Sequence, residues 1–406
     1  MNFDVHTIRN DFPILQQKVY NNPLIYLDNG ATTQKPIHVI TCMNDFLRYK
    51  NSSIHRGVHY LSEQATEEYE NARKTVQQFV NAAHPHEIIF TAGTTASING
   101  IAFSFGERFV KAGDEIIITE MEHHANIVPW QMLCERKKAV LKVIPFSDDG
   151  LLRLEELDRL ITSRTKLIAV IHVSNTLGTV NPVDEIIRRA HTFDIPVLVD
   201  GAQSIQHVPV DVQKMDCDFF VFSGHKTYGP TGIGVLYGKE KWLEEMPPYQ
   251  GGGDMVDVVT FEKTTYNCLP FKFEAGTPNY IGAIALAEAL KYIAAIGLEN
   301  IAKHEQQLLE SGINKLRELW YVKLYGIARP KSSILSFNID GVHPYDAGMV
   351  MDKMGIAVRT GTHCAQPVMQ HYTIEGTIRA SLALYNTLEE IDALAEAVKK
   401  VKTMFG

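Results

Sequence analysis

Two charged residues in this sequence follow apolar runs that have the character of buried strands. The run 218–222 leads through Ser-Gly-His to Lys226, and the run 196–199 leads to Asp200. Burial disfavours the ammonium form, so a lysine at the end of a buried strand becomes a nucleophilic amine. Either residue alone has a simpler explanation, as a solvated lysine or as a helix cap. Together they predict pyridoxal 5′-phosphate, which requires a Schiff-base lysine and a partner for its ring nitrogen.

A strand, a turn of small residues and a helix start follow one another in the segment 90–99, which contains Thr94 and Thr95. Free backbone N–H groups and hydroxyls at a helix N-terminus can bind phosphate. Thr94 could equally be a plain helix cap. The lysine and aspartate pair favours the phosphate interpretation, with Ser223 and His225 completing the cradle from the other side.

Adjacent histidines, His123 and His124, follow the apolar run 115–119. Such a pair suggests zinc, but no third and fourth ligands stand at a regular spacing, and we predict no metal site. We expect the His123 ring to stack on the flat cofactor, and it could also transfer protons.

The segment 359–367 reads Arg-Thr-Gly-Thr-His-Cys-Ala-Gln-Pro. Its glycine and proline bracket a loop, and the neighbouring His363 and Arg359 favour the reactive thiolate of Cys364. A buried, inert thiol is the alternative. Arg379 lies within an apolar strand and must find an anion there. We expect a substrate carboxylate held bidentately, or else a structural ion pair.

The composition is that of an ordinary globular protein of two or three domains, with 406 residues, 45% hydrophobic and 21% charged. A net charge of −8 argues against nucleic acid or an anionic membrane surface as a partner. The N-terminus has no signal-peptide pattern, and the apolar stretch 281–298 is interrupted by Glu288 and Lys291, as in a core helix. The five cysteines form no C-x-x-C pair, which predicts reduced thiols and a cytoplasmic enzyme.

Strand-like and helix-like segments alternate between residues 87 and 238, which predicts an α/β fold with a mostly parallel sheet covered on both faces. The polar residues described above follow its strands, where ligands of such sheets bind. A long helical pattern over 282–321 ends this regular alternation of strands and helices. We predict a large cofactor-binding α/β domain over 21–285, and a small α+β domain, formed by 1–20 and 286–406, that carries the cysteine loop.

The chain resembles a group II (SufS-type) cysteine desulfurase, a pyridoxal-phosphate enzyme of fold type I with the class V aminotransferase fold. The resemblance runs nearly end to end, through Tyr26 to Thr32, His55 to His59, Met121 to Trp130, Ser223 to Pro230, Phe273 to Pro278 and Arg379 to Asn386. The short loop 359–367 is its most specific part, because group I relatives are expected to carry a longer, serine-rich loop.

The resemblance implies a homodimer with a seven-stranded-type sheet, and it assigns roles to single residues. The cofactor would be held by Lys226, by Asp200 at the ring nitrogen and by Gln203 at the ring hydroxyl. Its phosphate would be bound by Thr94, Thr95, Ser223 and His225, with Thr277 reaching across from the second subunit. The substrate carboxylate would contact Asn175 and Arg379, and His55 and Arg359 would line the pocket.

The implied reaction converts L-cysteine to L-alanine. Lys226 would remove the Cα proton, His123 would assist, and Cys364 would take the sulfur as a persulfide for iron–sulfur cluster assembly. The implied partners are a SufE-like or SufU-like sulfur acceptor and a SufBCD-type scaffold; Gly341 to Pro344 is similar to members that use the SufU-like protein. A selenocysteine lyase acting on L-selenocysteine, a desulfinase, an aminotransferase and a non-catalytic subunit are the alternatives.

Overall fold

The structure is a computed structural model, in which residues 3–405 are described. Its largest element is a seven-stranded sheet, and a four-stranded antiparallel sheet and three two-stranded ones accompany it. The strands are β1 (Lys18–Val19), β2 (Asn22–Pro23), β3 (Ile25–Tyr26), β4 (Ile88–Thr91), β5 (Glu115–Thr119), β6 (Val140–Ile144), β7 (Thr165–Ile171), β8 (Val197–Asp200), β9 (Phe219–Ser223), β10 (Gly234–Gly238), β11 (Val256–Val259), β12 (Thr264–Tyr266), β13 (Val322–Tyr325), β14 (Ile334–Ile339), β15 (Ile356–Ala357), β16 (Arg359–Gly361) and β17 (Thr377–Ser381).

Helices cover both faces of the large sheet and pack on the four-stranded one. They are α1 (Val5–Arg9), α2 (Ile37–Tyr49), α3 (Tyr60–Phe79), α4 (Thr94–Phe109), α5 (Val128–Lys137), α6 (Leu154–Leu160), α7 (Val183–His191), α8 (Val212–Met215), α9 (Glu240–Glu245), α10 (Tyr280–Ile296), α11 (Leu298–Arg317), α12 (Pro344–Lys353), α13 (Gln366–Tyr372) and α14 (Leu388–Phe405).

The large sheet has the strand order β4-β10-β9-β8-β7-β5-β6, in which only β10 pairs antiparallel with its neighbours. Strands β8 and β9 are buried along their whole length, as expected for a sheet covered on both faces. Parallel pairing of β5, β7, β8 and β9 brings their carboxyl ends to one edge. The prediction of a mostly parallel α/β fold is confirmed.

The four-stranded sheet has the order β13-β14-β17-β16, and β17 in its interior carries Arg379. Strand β16 contains Arg359 and leads into the cysteine loop, which ends at helix α13. The N-terminal segment packs against the end of the chain. Arg9 donates from Nη1 to the Tyr385 carbonyl oxygen at 2.6 Å and pairs with Glu390 at 2.9 Å.

The helical pattern over 282–321 forms two helices, with a break that the sequence analysis did not mark. Gly297, with φ of +90°, separates α10 from α11, whose axes are bent by 76°. A glycine adopts this backbone conformation without the steric cost that a side chain would impose. No single helix within residues 3–405 is both long and apolar enough to cross a membrane, although α10 and α11 taken together meet that test by length and composition.

Candidate active site

Lys226 lies at the end of a short 3-10 turn that directly follows β9. The surrounding protein removes water from its amine and lowers its pKa to about 8, while the Asp200 carboxylate acts in the opposite direction. At neutral pH a larger fraction of this amine is therefore unprotonated than in an ordinary lysine. This is the property that a Schiff-base nucleophile needs.

Asp200 is the last residue of β8 and is buried. Burial raises the pKa of its carboxyl group, and the Ala202 N–H, which donates to it at 3.0 Å, opposes that shift together with Lys226. Gln203 follows on the same turn and donates from Nε2 to the Gly30 carbonyl oxygen at 2.6 Å. Its buried Oε1 atom has no protein partner, so it is free to accept from a hydroxyl group.

These residues meet in one cavity of about 260 Å³ at the carboxyl ends of the parallel strands. All of the site residues predicted from the sequence line it except His55 and Thr277. The lining residues that were predicted are Thr94, Thr95, His123, Asn175, Asp200, Gln203, Ser223, His225, Lys226, Arg359, Cys364 and Arg379.

One end of the cavity is the N-terminus of helix α4. Thr94 occupies the first position of this helix, and the Ser223 hydroxyl lies 2.8 Å from both its N–H and its Oγ1. Gly93 before it has φ of +148°, which a residue with a side chain rarely adopts. Burial and the charge of Lys226 lower the pKa of His225 to about 4, so this ring is neutral here. Hydroxyls, free helix N–H groups and a neutral imidazole suit a phosphate group.

His123 precedes the 3-10 turn 124–126 and accepts at Nδ1 from the Ala125 N–H at 3.0 Å. Burial and the nearby Lys226 lower the pKa of the His123 ring to about 3. The ring is therefore neutral, with its proton on Nε2. A neutral ring can stack on a flat cofactor and donate a hydrogen bond from Nε2 without placing a charge beside Lys226.

Arg379 is buried in the middle of β17 and donates from Nη1 to the Asn175 carbonyl oxygen at 2.7 Å. Its Nε atom has no partner, and neither has the Asn175 Oδ1 atom. The exposed Arg359 lies on β16 beside it, and Asp28 contacts both guanidinium groups, at 3.4 Å from Arg379 and 3.6 Å from Arg359. Two arginines with one carboxylate leave one net positive charge, which matches a single substrate carboxylate.

Cys364 is exposed in its loop, so the alternative of a buried thiol does not apply. The loop approaches the opposite wall through its backbone. The Cys364 carbonyl oxygen accepts from the His124 N–H at 2.8 Å, and the His363 carbonyl oxygen accepts from Asn175 Nδ2 at 2.7 Å. The thiol thus lies where it can face the cavity on one side and solvent on the other.

The comparisons with known proteins agree over almost the whole chain. The profile of the family described as aminotransferase class-V matches residues 25–394. A cysteine desulfurase of Escherichia coli O8 (strain IAI1) is 51% identical over 407 residues, with 100% of both chains covered. The crystal structure of the cysteine desulfurase CsdA (S-sulfonic acid) from Escherichia coli has a TM-score of 0.93 and 38% identity, covering 100% of both chains. The apo structure of a cysteine desulfurase from Thermococcus onnurineus NA1 has a TM-score of 0.93 and 39% identity, covering 99% of each chain.

The chain belongs to the aminotransferase class-V family. The prediction of a pyridoxal-phosphate-dependent cysteine desulfurase of this family is confirmed. The individual site residues of this class V enzyme are located by the structure, and their roles stay predictions.

Two predicted residues of this class V enzyme lie outside the cavity of their own chain. His55 pairs with Glu70 at 3.3 Å and packs against the Phe271 ring, with 5.2 Å between ring centroids. Thr277 is exposed six residues beyond Phe271. Asp28, which contacts both arginines, was not predicted as a site residue. Two signals could have found it: Asp28 lies in a segment that carries the resemblance, and it directly precedes the turn with the cavity residues 30 and 31.

Proposed function

We propose that the protein transfers the sulfur of L-cysteine to Cys364, which leaves L-alanine as product and a persulfide on the enzyme. The observation that carries this proposal is the geometry of a single cavity, which has the Lys226 and Asp200 pair on its floor and the exposed Cys364 at its rim. The reaction of an aminotransferase would not use the cysteine loop. A cysteine that meets substrate inside and an acceptor outside accounts for its exposure.

The residues present fit pyridoxal phosphate. The unpaired Gln203 Oε1 suits the ring hydroxyl, Asp200 suits the ring nitrogen, and the Thr94 and Ser223 end of the cavity suits the phosphate. When bound, this cofactor supplies an electron sink for negative charge at the substrate Cα. Lys226 attaches it.

Each remaining step belongs to side chains of this enzyme. The Arg379 guanidinium and the second N–H of Asn175 Nδ2 bind the substrate carboxylate, which places the substrate amine near Lys226. The substrate amine displaces Lys226 from the cofactor, and the freed Lys226 amine takes the Cα proton. Its lowered pKa keeps a larger fraction of the amine in the unprotonated form at neutral pH. The neutral His123 ring lines the cavity and can donate a hydrogen bond from Nε2 to the reacting groups.

Sulfur transfer is a nucleophilic displacement at the substrate sulfur. The Cys364 thiolate forms the new S–S bond, and the Cβ–S bond breaks with its electron pair moving toward Cβ. Protons then return to Cβ and Cα, so that L-cysteine and one thiol become L-alanine and one persulfide. The substrate Cβ accepts the electron pair and is reduced while the two sulfur atoms are oxidised to the persulfide level, so no external oxidant is needed.

A homodimer would complete the site. Thr277 is exposed, and neither Thr277 nor His55 lines the cavity of its own chain. We propose that both reach the cavity of the second subunit, Thr277 at the phosphate. We further propose the domain division as predicted, 21–285 for the cofactor domain and the remainder for the domain that carries the cysteine loop.

The persulfide must be passed on, and its exposed position suits a protein acceptor. We propose a SufE-like or SufU-like acceptor and delivery to a SufBCD-type scaffold for iron–sulfur cluster assembly in the cytoplasm. The support is the short loop, which holds Cys364 near the cavity wall and leaves a separate carrier to collect the sulfur.

The deciding experiment is detection of the persulfide. The enzyme loaded with cofactor receives L-cysteine without reductant, and the peptide that contains Cys364 is examined by mass spectrometry for one added sulfur atom. Cys268→Ser is the matched control, because Cys268 is also an exposed thiol. Alanine formed with no sulfur on Cys364 would overturn the proposal. A Cys364→Ala variant that still releases selenium from L-selenocysteine, but no longer makes alanine from L-cysteine, would favour the selenocysteine lyase alternative.

A further inference from the structure

His124 lies outside the cysteine loop and makes two hydrogen bonds to the backbone of that loop. Its backbone N–H donates to the Cys364 carbonyl oxygen at 2.8 Å. Its side-chain Nε2 accepts from the Gln366 backbone N–H at 3.2 Å. An imidazole that accepts at Nε2 is neutral and carries its proton on Nδ1. One residue therefore contacts the backbone at Cys364 and again two residues further along.

The loop needs such contacts because of its backbone conformation. His363 and Cys364 have φ values of +53° and +56°. Residues with side chains seldom occupy this left-handed region, and they stay there only where surrounding contacts hold them. Asn175 and Thr377 hold His363, through its carbonyl oxygen at 2.7 Å and its Nε2 at 2.8 Å. On the other side of Cys364, the His124 side chain holds the backbone at Gln366.

His124 is itself firmly anchored. Its turn includes Asn126, whose side chain donates to Glu122 Oε2 at 2.6 Å and accepts from Trp130 Nε1 at 2.8 Å. Glu122 Oε1 in turn accepts from the Ile171 N–H of β7 at 2.9 Å. Glu122, Asn126 and Trp130 are buried. The large sheet thus fixes the position from which His124 contacts the loop.

We propose that His124 is a positioning residue for Cys364, and that its Nε2 atom keeps the loop in the conformation that places the thiol at the cavity. This role rests on the proposed function of Cys364 as the sulfur acceptor. Without the acceptor atom, the loop leaves the cavity more often. The thiol then becomes more accessible to reagents, and sulfur transfer slows, while substrate binding at Arg379 is preserved.

Three variants isolate the contact. His124→Ala removes the acceptor, and His124→Gln restores an acceptor oxygen at a comparable distance from the backbone. Gln366→Pro removes the donor N–H from the other side at the first position of α13, where proline is tolerated. A thermal unfolding curve of each variant establishes that it is folded.

The first measurement is the alkylation rate of Cys364 by iodoacetamide in the enzyme loaded with cofactor, read for each peptide by mass spectrometry. The exposed Cys268 is the internal reference. We expect His124→Ala and Gln366→Pro to speed alkylation of Cys364 about three- to tenfold, the effect of losing one neutral hydrogen bond, with Cys268 unchanged. His124→Gln should return the rate to the wild-type value.

The second measurement is alanine formation from L-cysteine. We expect kcat of His124→Ala to fall about three- to tenfold with less than about a twofold change in KM, and His124→Gln to recover kcat. Unchanged alkylation and kcat in His124→Ala would overturn the proposal, as would a His124→Gln variant that is as impaired as His124→Ala. Wild-type enzyme that makes no alanine would refute the proposed function instead, and the alkylation result would still decide the role of His124.

Discussion

The Ser223 hydroxyl accepts a hydrogen bond from the Thr94 backbone N–H at 2.8 Å. This bond connects the end of β9, which leads to Lys226, with the first turn of α4. The two halves of the proposed phosphate cradle are therefore joined through residues that are 129 positions apart in the chain. A cradle that is already formed loses less entropy when it binds its ligand.

Ser223→Ala should weaken binding of pyridoxal phosphate about three- to tenfold, because one hydroxyl that serves the cradle is lost. Titration of the cofactor-free protein, followed by absorbance, measures this. Ser104→Ala is the matched control, since Ser104 is a buried serine of α4 that lies about 15 Å beyond Thr94 along the helix axis. Equal affinities in wild type and Ser223→Ala would remove Ser223 from the cradle.

The rate at which the cofactor-free protein binds pyridoxal phosphate covalently should rise with pH through about 8 and then level off. The attacking species is the unprotonated Lys226 amine, whose pKa is lowered to about 8, so protonation below that pH removes the nucleophile. Stopped-flow absorbance from about pH 6 to about pH 10 records the profile. Lys226→Ala should show no covalent attachment and no turnover; a flat profile in the wild type would contradict the assignment.

Arg379→Lys should raise KM for L-cysteine about 10- to 100-fold, because lysine cannot present the planar pair of donors that a carboxylate accepts. Steady-state kinetics of alanine formation measures this. Arg359→Lys is the comparison, since the Arg359 side chain is 47% exposed and should change KM less than about fivefold. Similar effects of the two substitutions would mean that the buried arginine has no special part in binding substrate.

Glu274→Ala should lower the free energy of unfolding by about 3–5 kcal/mol, because it removes the buried carboxylate that neutralises an almost fully buried arginine. Glu274 accepts from Arg73 Nη1 at 2.7 Å and from Nη2 at 2.9 Å, and both side chains are almost fully buried. Chemical denaturation measures the loss. Glu70 also pairs with Arg73 but is 31% exposed, so Glu70→Ala should cost less than about 1 kcal/mol. A loss from Glu274→Ala as small as that from Glu70→Ala would refute this account.

The strands around the site could be predicted to within about a residue, because each is a short apolar run that is buried on both faces. Lys226 and Asp200 could be located for the same reason, since they end such strands. The break at Gly297 was missed because a helical pattern continues on both sides of it. Asp28 was missed as a contact of the arginines because nothing local in a turn shows which distant side chain it will meet.

The sequence by itself determined the chemistry: a lysine and an acid at strand ends, a loop-borne cysteine and an arginine inside a strand predict a cofactor, a nucleophile and a carboxylate site. The tertiary structure decided which groups meet. Only folding brings Asn175 and His124 to the cysteine loop, because their hydrogen bonds end on the His363 and Cys364 carbonyl oxygens, which every residue type carries. Side-chain identity is written in the sequence, whereas the partner of a backbone N–H or carbonyl group is set by the packing of the whole chain.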